Sequence, residues 1–354
     1  MPDQDKIELL VAAVRRARDA KQPLRIVGGG SKSFLGREPT GEPLECAGHA
    51  GLVGYDPTEL VVTARGGTRL AELQAALAAE GQMLPFEPPA FGATATIGGT
   101  VACGLSGPCR PYAGAARDYV LGTRVLSGNG EVLRFGGEVM KNVAGYDVSR
   151  LMCGAFGTLG VLLDVSLKVL PRPAAELSLR FDLAPAAAIE AMNRWAARPL
   201  PLSGAAHDGA VLLLRLSGAE AAIAAARASL GGEELADGQR WWHELREHRL
   251  PFFAGDTPLW RLSVKSTAAP MDLPGDWLID WGGAQRWLRT PASAEQVRQA
   301  ARAAGGHATL FRGGDRSGEV YTPLPAAVAS LHRRLKSAFD PAGILNPGRL
   351  YAGF

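Results

Sequence analysis

The chain has 354 residues, enough for two domains, and 47% of them are apolar, as in an ordinary globular protein with a sizeable core. Lysine and arginine number 38 against 35 aspartates and glutamates, a surplus too small to indicate nucleic-acid or membrane-surface binding. Four scattered cysteines, Cys46, Cys103, Cys109 and Cys153, form no CxxC pair or ferredoxin-type run. That pattern argues against an iron–sulfur cluster and for idle thiols in a reducing compartment.

The first residues carry acids before any apolar run, and Ile7, Leu10, Val11 and Val14 have helical spacing. A helix near 5–20 is expected here rather than a signal peptide. No apolar run reaches the ~18 residues of a membrane span. The expectation is a cytoplasmic protein whose membrane association, if any, comes through a partner. Strands follow at "LRIV" (24–27) and "LVVTA" (60–64), then a helix near 68–80 with Leu70, Leu73 and Leu77 on one face and Gly81 closing it. "AFGATATIGGTVACGLSGP" (90–108) is too poor in large side chains for a core strand or a stable helix, and reads as packed backbone. A strand at 119–126 turns through "SGNG" (127–130) into "EVLRF" as a hairpin. A glycine-rich stretch leads to a long strand at 161–170, and "PRP" (171–173) ends a first domain of residues 1–172.

Beyond it the order strand–helix–strand–strand–helix–strand, from "ELSLRFDL" to "GAEAAIAAARASL" and on, is the ferredoxin-like split unit. The second domain then spans 173–305. Its tryptophans, Trp241, Trp242, Trp277, Trp281 and Trp287, suit either a cap core or a partner surface. Residues 306–354 are expected to return to the first domain, with Val328, Leu331, Leu335 and Phe339 on one helical face. No internal repeat is visible.

"LRIVGGGSKSFLG" (24–36) runs an apolar strand into three bare glycines, whose N–H groups and access to positive φ suit an anion. It lacks the third glycine and following helix of a nicotinamide turn, and the Gly-Lys-Ser/Thr spacing of a P-loop. Taken alone it fits a tight turn between strands equally well. "ATIGGTVA" (95–102) and "GAFGTLGV" (154–161) repeat the same character. Three such clusters favour a long ligand lying against main chain, and a dinucleotide suits them better than one phosphate.

Those stretches, with "PFEPPAFGATATIGGTVACGLSGPCRPYAGAARDYVLGTRVLSGNGEVLRFGG", "KNVAGYDVSRLMCGAFGTLGVLLDVSLKVLPRP" and "FDPAGILNPGRL", resemble the PCMH-type FAD-binding flavoproteins of the vanillyl-alcohol-oxidase kind. The likeness covers nearly the whole chain. Within that family "VMKNVAGYD", "DWGGAQRWL" and the short length resemble the smaller flavin subunits of bacterial glycolate oxidases. The resemblance implies an α+β fold: an FAD-binding domain of two α/β subdomains with a reduced ferredoxin-like cap.

It further implies that Val27, Gly28, Gly29, Gly30, Ser31, Lys32 and Ser33 wrap the FAD pyrophosphate. Lys32 would either assist them or be a solvated loop lysine. Thr96, Ile97, Gly98, Gly99, Thr100 and Ala102 would run beside the ribityl chain. Gly154, Gly157, Thr158, Gly160 and Val161 would line the adenosine side, and Asn346 would return to the flavin ring edge. With no histidine in the first loop, the FAD is expected to be non-covalent.

Relatives that oxidise 2-hydroxy acids carry a Glu-His-Gly run where this chain has "FRGGDRSGEVYTPLP". The six histidines have no metal-site spacing, so no metal is expected. The implied role is a subunit that transfers electrons or supports assembly. A larger homologous flavin subunit would oxidise glycolate to glyoxylate, and an iron–sulfur subunit would carry the electrons onward. Two alternatives remain. One is a self-sufficient oxidoreductase with Arg286, Arg289 or Arg312 gripping a substrate carboxylate and His307 as base. The other is a non-catalytic scaffold.

Overall fold

A computed structural model describes residues 4–137 and 147–354, so "VMKNVAGYD" lies outside the described residues except for Asp147. The chain divides into two compact units. One comprises Met1–Leu105, Ala115–Pro171 and Arg316–Phe354, and the other Ser106–Gly114 and Arg172–Asp315.

The first unit opens with α1 (Ile7–Ala20), which buries Leu10, Val14 and Ala17 and ends at Lys21 in the left-handed region. β1 (Leu24–Val27) pairs in parallel with β2 (Glu42–Glu45). β3 (Leu52–Asp56), β4 (Val61–Arg65) and α2 (Leu70–Ala79) follow, with the short β5 (Gln82–Met83) after the helix. Leu70, Leu73 and Leu77 of α2 are buried, and Gly81 takes φ 64 just past its end.

The stretch expected to be packed backbone contains a helix, α3 (Ile97–Cys103), despite two glycines. Its ends are closed locally. Thr96 Oγ1 accepts from the Gly99 N–H, and Gly104 takes φ 63 at the other end. Ile97 and Val101 are fully buried, so packing overrides weak propensity.

After Ser106–Gly114, where Arg110–Ala113 form the short α4, the chain returns to the first unit. It continues with β6 (Val120–Leu126), β7 (Val132–Gly136), α5 (Val148–Met152), β8 (Val161–Lys168) and β9 (Leu170–Pro171). The "SGNG" hairpin is present, with Leu126 opposite Val132 and Gly130 at φ 74. The five-stranded sheet runs β3-β4-β8-β6-β7, antiparallel throughout. β8 sits at its centre and is buried from Val161 to Leu167, and its two buried polar residues are paired, Asp164 with Arg124 at 2.8 Å and Ser166 with Thr63 at 2.8 Å.

In the second unit β10 (Ala175–Phe181), α6 (Pro185–Ala196), β11 (Leu202–His207), β12 (Leu212–Gly218), α7 (Glu220–Leu230) and β13 (Glu233–Glu234) have the expected order. They pair as β13-β10-β12-β11. The sheet does not stop there. After α8 (Gly238–Arg246), the strands β14 (Leu259–Ser263), β15 (Asp276–Asp280), β16 (Gln285–Arg289), helix α9 (Ala294–Ala303) and β17 (His307–Arg312) add β15-β16-β14-β17.

The cap sheet therefore continues beyond the first ferredoxin-like unit. Its second half follows the pairing order of its first, with a loop in place of one helix. That loop holds Pro270, Pro274 and Gly275 at φ 128, which no helix accommodates. The second unit also extends past residue 305 to Asp315, because β17 pairs with β14 from Ser263–His307 to Leu259–Arg312. Ser106–Gly114 joins this unit as well: Trp281 Nε1 donates to the Gly107 carbonyl at 3.0 Å, and Arg110 lies over the Trp281 ring at 4.4 Å. Trp242 and Trp287 are core residues, 2% and 4% exposed.

The final helix, α10 (Ala326–Phe339), belongs to the first unit. Its expected apolar face is divided. Leu335 and Phe339 pack on the core, whereas Val328 and Leu331 are exposed.

His248 stacks on Phe253 with centroids 3.9 Å apart and meets Trp287 edge-on at 4.6 Å. Loss of solvent, then the charges of Arg312 and Arg261, hold its imidazole well below the ordinary 6.5. The unfolded chain therefore takes up a proton at a pH where the folded chain does not. Stability from this group is full above pH 6.5 and falls as pH drops below it, by up to about 1.4 kcal/mol per pH unit. The variant His248→Asn, which tolerates the φ of 53, is expected to flatten that acid slope in urea titrations. An unchanged slope contradicts the assignment.

Candidate functional site

β1 delivers the chain into the glycine loop of the first unit, and two distant stretches close on it. A Cβ on Gly28 would sit 2.6 Å from Thr96 Oγ1, and one on Gly29 would overlap the Thr94 carbonyl. Only bare backbone permits this approach. α3 is held in turn by Gly66, whose carbonyl accepts the Gly98 N–H at 2.7 Å. The loop after α5 is tied to α3, with Gly154 N–H on the Val101 carbonyl and Phe156 N–H on the Ala102 carbonyl.

The C-terminal tail completes the arrangement. Leu24 N–H donates to the Ile344 carbonyl at 2.7 Å, and Asn346 N–H to the Leu24 carbonyl at 2.9 Å. Asn346 Oδ1 accepts from the Ile26 N–H at 2.7 Å, while Nδ2 donates to the Phe156 carbonyl at 2.6 Å. Its side-chain amide thus spans the glycine loop's strand and the 154–157 loop. Asn346, expected at a flavin edge, lines the cleft with its amide committed to main chain. Removing it leaves two backbone groups without partners, each worth about 1–3 kcal/mol. Asn346→Ala is expected to lower stability by about 2–4 kcal/mol in urea unfolding, and an unaltered midpoint rules the tie out.

A second tie lies beneath. Lys336 Nζ, buried on α10, donates to the carbonyls of Thr158 and Leu345 and to Asp340 Oδ2, at 2.8, 2.6 and 2.7 Å. Asp340 also accepts the N–H groups of Ile344 and Leu345.

These contacts leave an open-mouthed cleft in the first unit. Val27, Gly28, Gly29, Gly30, Ser31, Lys32 and Ser33 line it, as do Thr96, Gly98, Gly99, Ala102, Gly157, Gly160, Val161 and Asn346. Ile97, Thr100, Gly154 and Thr158 do not. Ile97 is core, Thr100 is buried within α3, and the Gly154 N–H and Thr158 hydroxyl are spent on nearby carbonyls. The sequence reading missed Arg25, Cys46, Cys103, Phe156 and Arg349, which also line the cleft. Phe156 and Cys103 adjoin residues already singled out, and side-chain direction is what proximity in sequence could not supply.

The lining suits a polyanion. It carries Arg25, Lys32 and Arg349 and no carboxylate. Among the described residues nothing accepts from the N–H groups of Gly28, Gly29, Gly30 or Ser31, so four successive donors stand open as a nest. Lys32 is not a solvated loop lysine: it is 7% exposed and its ammonium donates to the Ala90 carbonyl at 3.1 Å. Burial, then Glu45, pushes the Cys46 thiol up to about 12, and burial raises the Cys103 thiol against the pull of Lys32 and Arg349.

The candidates for substrate chemistry all lie in the second unit. Arg286 is 1% exposed and donates to the Gly283 and Ala268 carbonyls, which makes it a structural staple whose pKa burial lowers to about 10. Arg289 donates to the Phe252 carbonyl at 3.3 Å. Arg312 is half-buried, and His307 begins β17, its imidazole held below 6.5 by desolvation and by Arg261.

Residues 5–136 match the FAD binding domain family FAD_binding_4, and residues 284–350 match FAD-oxidase_C, the C-terminal domain of FAD linked oxidases. The glycolate oxidase subunit GlcE of Escherichia coli (strain K12) is 53% identical over 98% of this chain and 98% of its own length. The chain belongs to the PCMH-type FAD-binding family. Over about a third of its length it also resembles the D-lactate dehydrogenase of Anaerostipes hadrus, at 38% identity across 26% of that protein. The glycolate oxidase subunit GlcD of Bacillus subtilis (strain 168) is 33% identical across 27% of its own length. An alkyldihydroxyacetonephosphate synthase structure has the same fold, with TM-score 0.67 at 16% identity over 97% of this chain and 74% of that one. No helix among the described residues is long and apolar enough to cross a membrane.

Proposed function

We propose that this member of the PCMH-type family is the smaller FAD-binding subunit of a glycolate oxidase complex, holding one FAD non-covalently. The observation that carries the reading is the cleft, where open N–H groups and three cations face a space free of carboxylates. The pyrophosphate bears two negative charges, and the Gly28–Ser31 donors with the nearby cations would hold it without a metal. Gly98, Gly99, Ala102, Gly157, Gly160 and Val161 would lie along the rest of the molecule. Bound there, the flavin supplies reversible acceptance of two electrons. Neither lining thiol is poised as a thiolate, which favours non-covalent attachment.

The chain's own part in the oxidation is electron transfer or assembly. A larger homologous flavin subunit takes glycolate to glyoxylate, and an iron–sulfur subunit receives the electrons. The likeness to subunits named GlcE and GlcD supports a multi-subunit setting. The commitment of Arg286 to carbonyls, together with the "FRGGDRSGEVYTPLP" stretch where a Glu-His-Gly run would be expected, supports the division of labour. The test is anaerobic mixing of the purified flavin-loaded chain with glycolate. The flavin absorbance is expected to persist, and rapid bleaching would show a self-sufficient oxidoreductase.

A further inference from the structure

Three cations line the cleft, and two of them are already engaged. Lys32 donates to the Ala90 carbonyl, and Arg349 donates to the carbonyls of Arg37 and Ser33 at 2.9 and 3.3 Å. Arg25 differs. It lies exposed on β1, one residue before the Ile26 N–H that Asn346 accepts, and among the described residues its guanidinium has no hydrogen bond or ion pair. The nearby β2 carboxylates, Glu42 and Glu45, face the rungs of Leu24 and Val27, form no ion pair with it, and do not line the cleft. An unengaged guanidinium lining the same cleft as the Gly28–Ser31 N–H groups is a bidentate donor without its acceptor.

We propose that Arg25 is a specificity residue for the nucleotide half of the cofactor: it pairs with the diphosphate side, so the chain selects a flavin dinucleotide over a flavin without phosphate. This rests on the FAD reading of the cleft. The side chain is exposed, so its contribution is a screened one that weakens with salt.

The experiment measures Kd for FAD, FMN and riboflavin by flavin fluorescence, at low and at physiological ionic strength, for the parent chain, Arg25→Lys, Arg25→Ala and Arg25→Glu. FAD affinity is expected to fall about three- to fivefold in Arg25→Ala and further in Arg25→Glu at low salt. Arg25→Lys is expected to lie between parent and alanine. Riboflavin binding should be unchanged throughout, and added salt should narrow the differences. FAD affinities within twofold across the series overturn the inference while leaving the FAD reading intact. An equal loss for riboflavin also overturns it, as the mark of a general disturbance of the cleft. A parent chain that binds no FAD overturns both.

Discussion

Lys336→Met is expected to destabilise the first unit by about 3–5 kcal/mol, the usual cost of breaking a buried ion pair by removing one partner. Lys336 is 7% exposed and Asp340 is 1% exposed, so little solvent reaches the orphaned carboxylate. The loss is also structural. The ammonium joins Thr158, Leu345 and Asp340, and Asp340 in turn holds the N–H groups of Ile344 and Leu345. Those residues precede Asn346, so the variant is expected to release the tail from β1 and lose cofactor together with stability. Urea unfolding of the purified variant measures the first effect and its flavin content the second. A change below about 1 kcal/mol, typical of exposed pairs, would mean the network does not hold the tail.

The second large effect separates close approach from backbone conformation. Gly29→Ala places a methyl where the Thr94 carbonyl already lies, and main chain on both sides cannot yield cheaply. The glycine loop must then move off the 94–96 segment. FAD affinity is expected to fall about 10–100-fold, matching the 1–3 kcal/mol cost of overpacking. Gly81→Ala, away from the cleft, is the control. Its Cβ meets nothing within 4 Å, and only its φ of 64 is strained, at about 1–2 kcal/mol. Gly81→Ala should lose some stability and retain FAD. Equal affinities for the two variants would show that the close contact between loop and 94–96 segment does not shape the cleft.

The first unit was largely legible because its signals are local. Leu70, Leu73 and Leu77 mark a helix by spacing, "SGNG" marks a hairpin by turn chemistry, and β8 is marked by its valines and leucines and by the "PRP" stop after it. α3 was not legible. Gly98 and Gly99 argue against a helix, and what overrides them, the burial of Ile97 and Val101 and the Gly66 contact, is tertiary. The second half of the cap sheet was hidden for a related reason. β14 to β17 repeat the pairing order of the first half, yet a proline-bearing loop replaces one helix, so no repeat shows in the residue pattern. The strap Ser106–Gly114 depends on a tryptophan far along the chain, and no window of sequence contains both.

In the cleft, glycine clusters located the lining but not the devices that hold it. Bare backbone has few uses, so three clusters pointed to one ligand. Asn346 and Lys336 act on carbonyls and N–H groups of distant loops, and nothing in their local sequence names those partners. Arg25 resembles any other exposed arginine in sequence, and only the engagement of Lys32 and Arg349 by carbonyls distinguishes it.

The most direct measurement is the visible absorption spectrum of the purified full chain, recorded before acid precipitation and again on the resulting supernatant. Naked main chain holding a flavin dinucleotide without a covalent bond predicts close to one flavin per chain, all of it released to the supernatant as FAD. A colourless chain that takes up no added FAD would contradict the account, and colour retained in the pellet would contradict the non-covalent attachment.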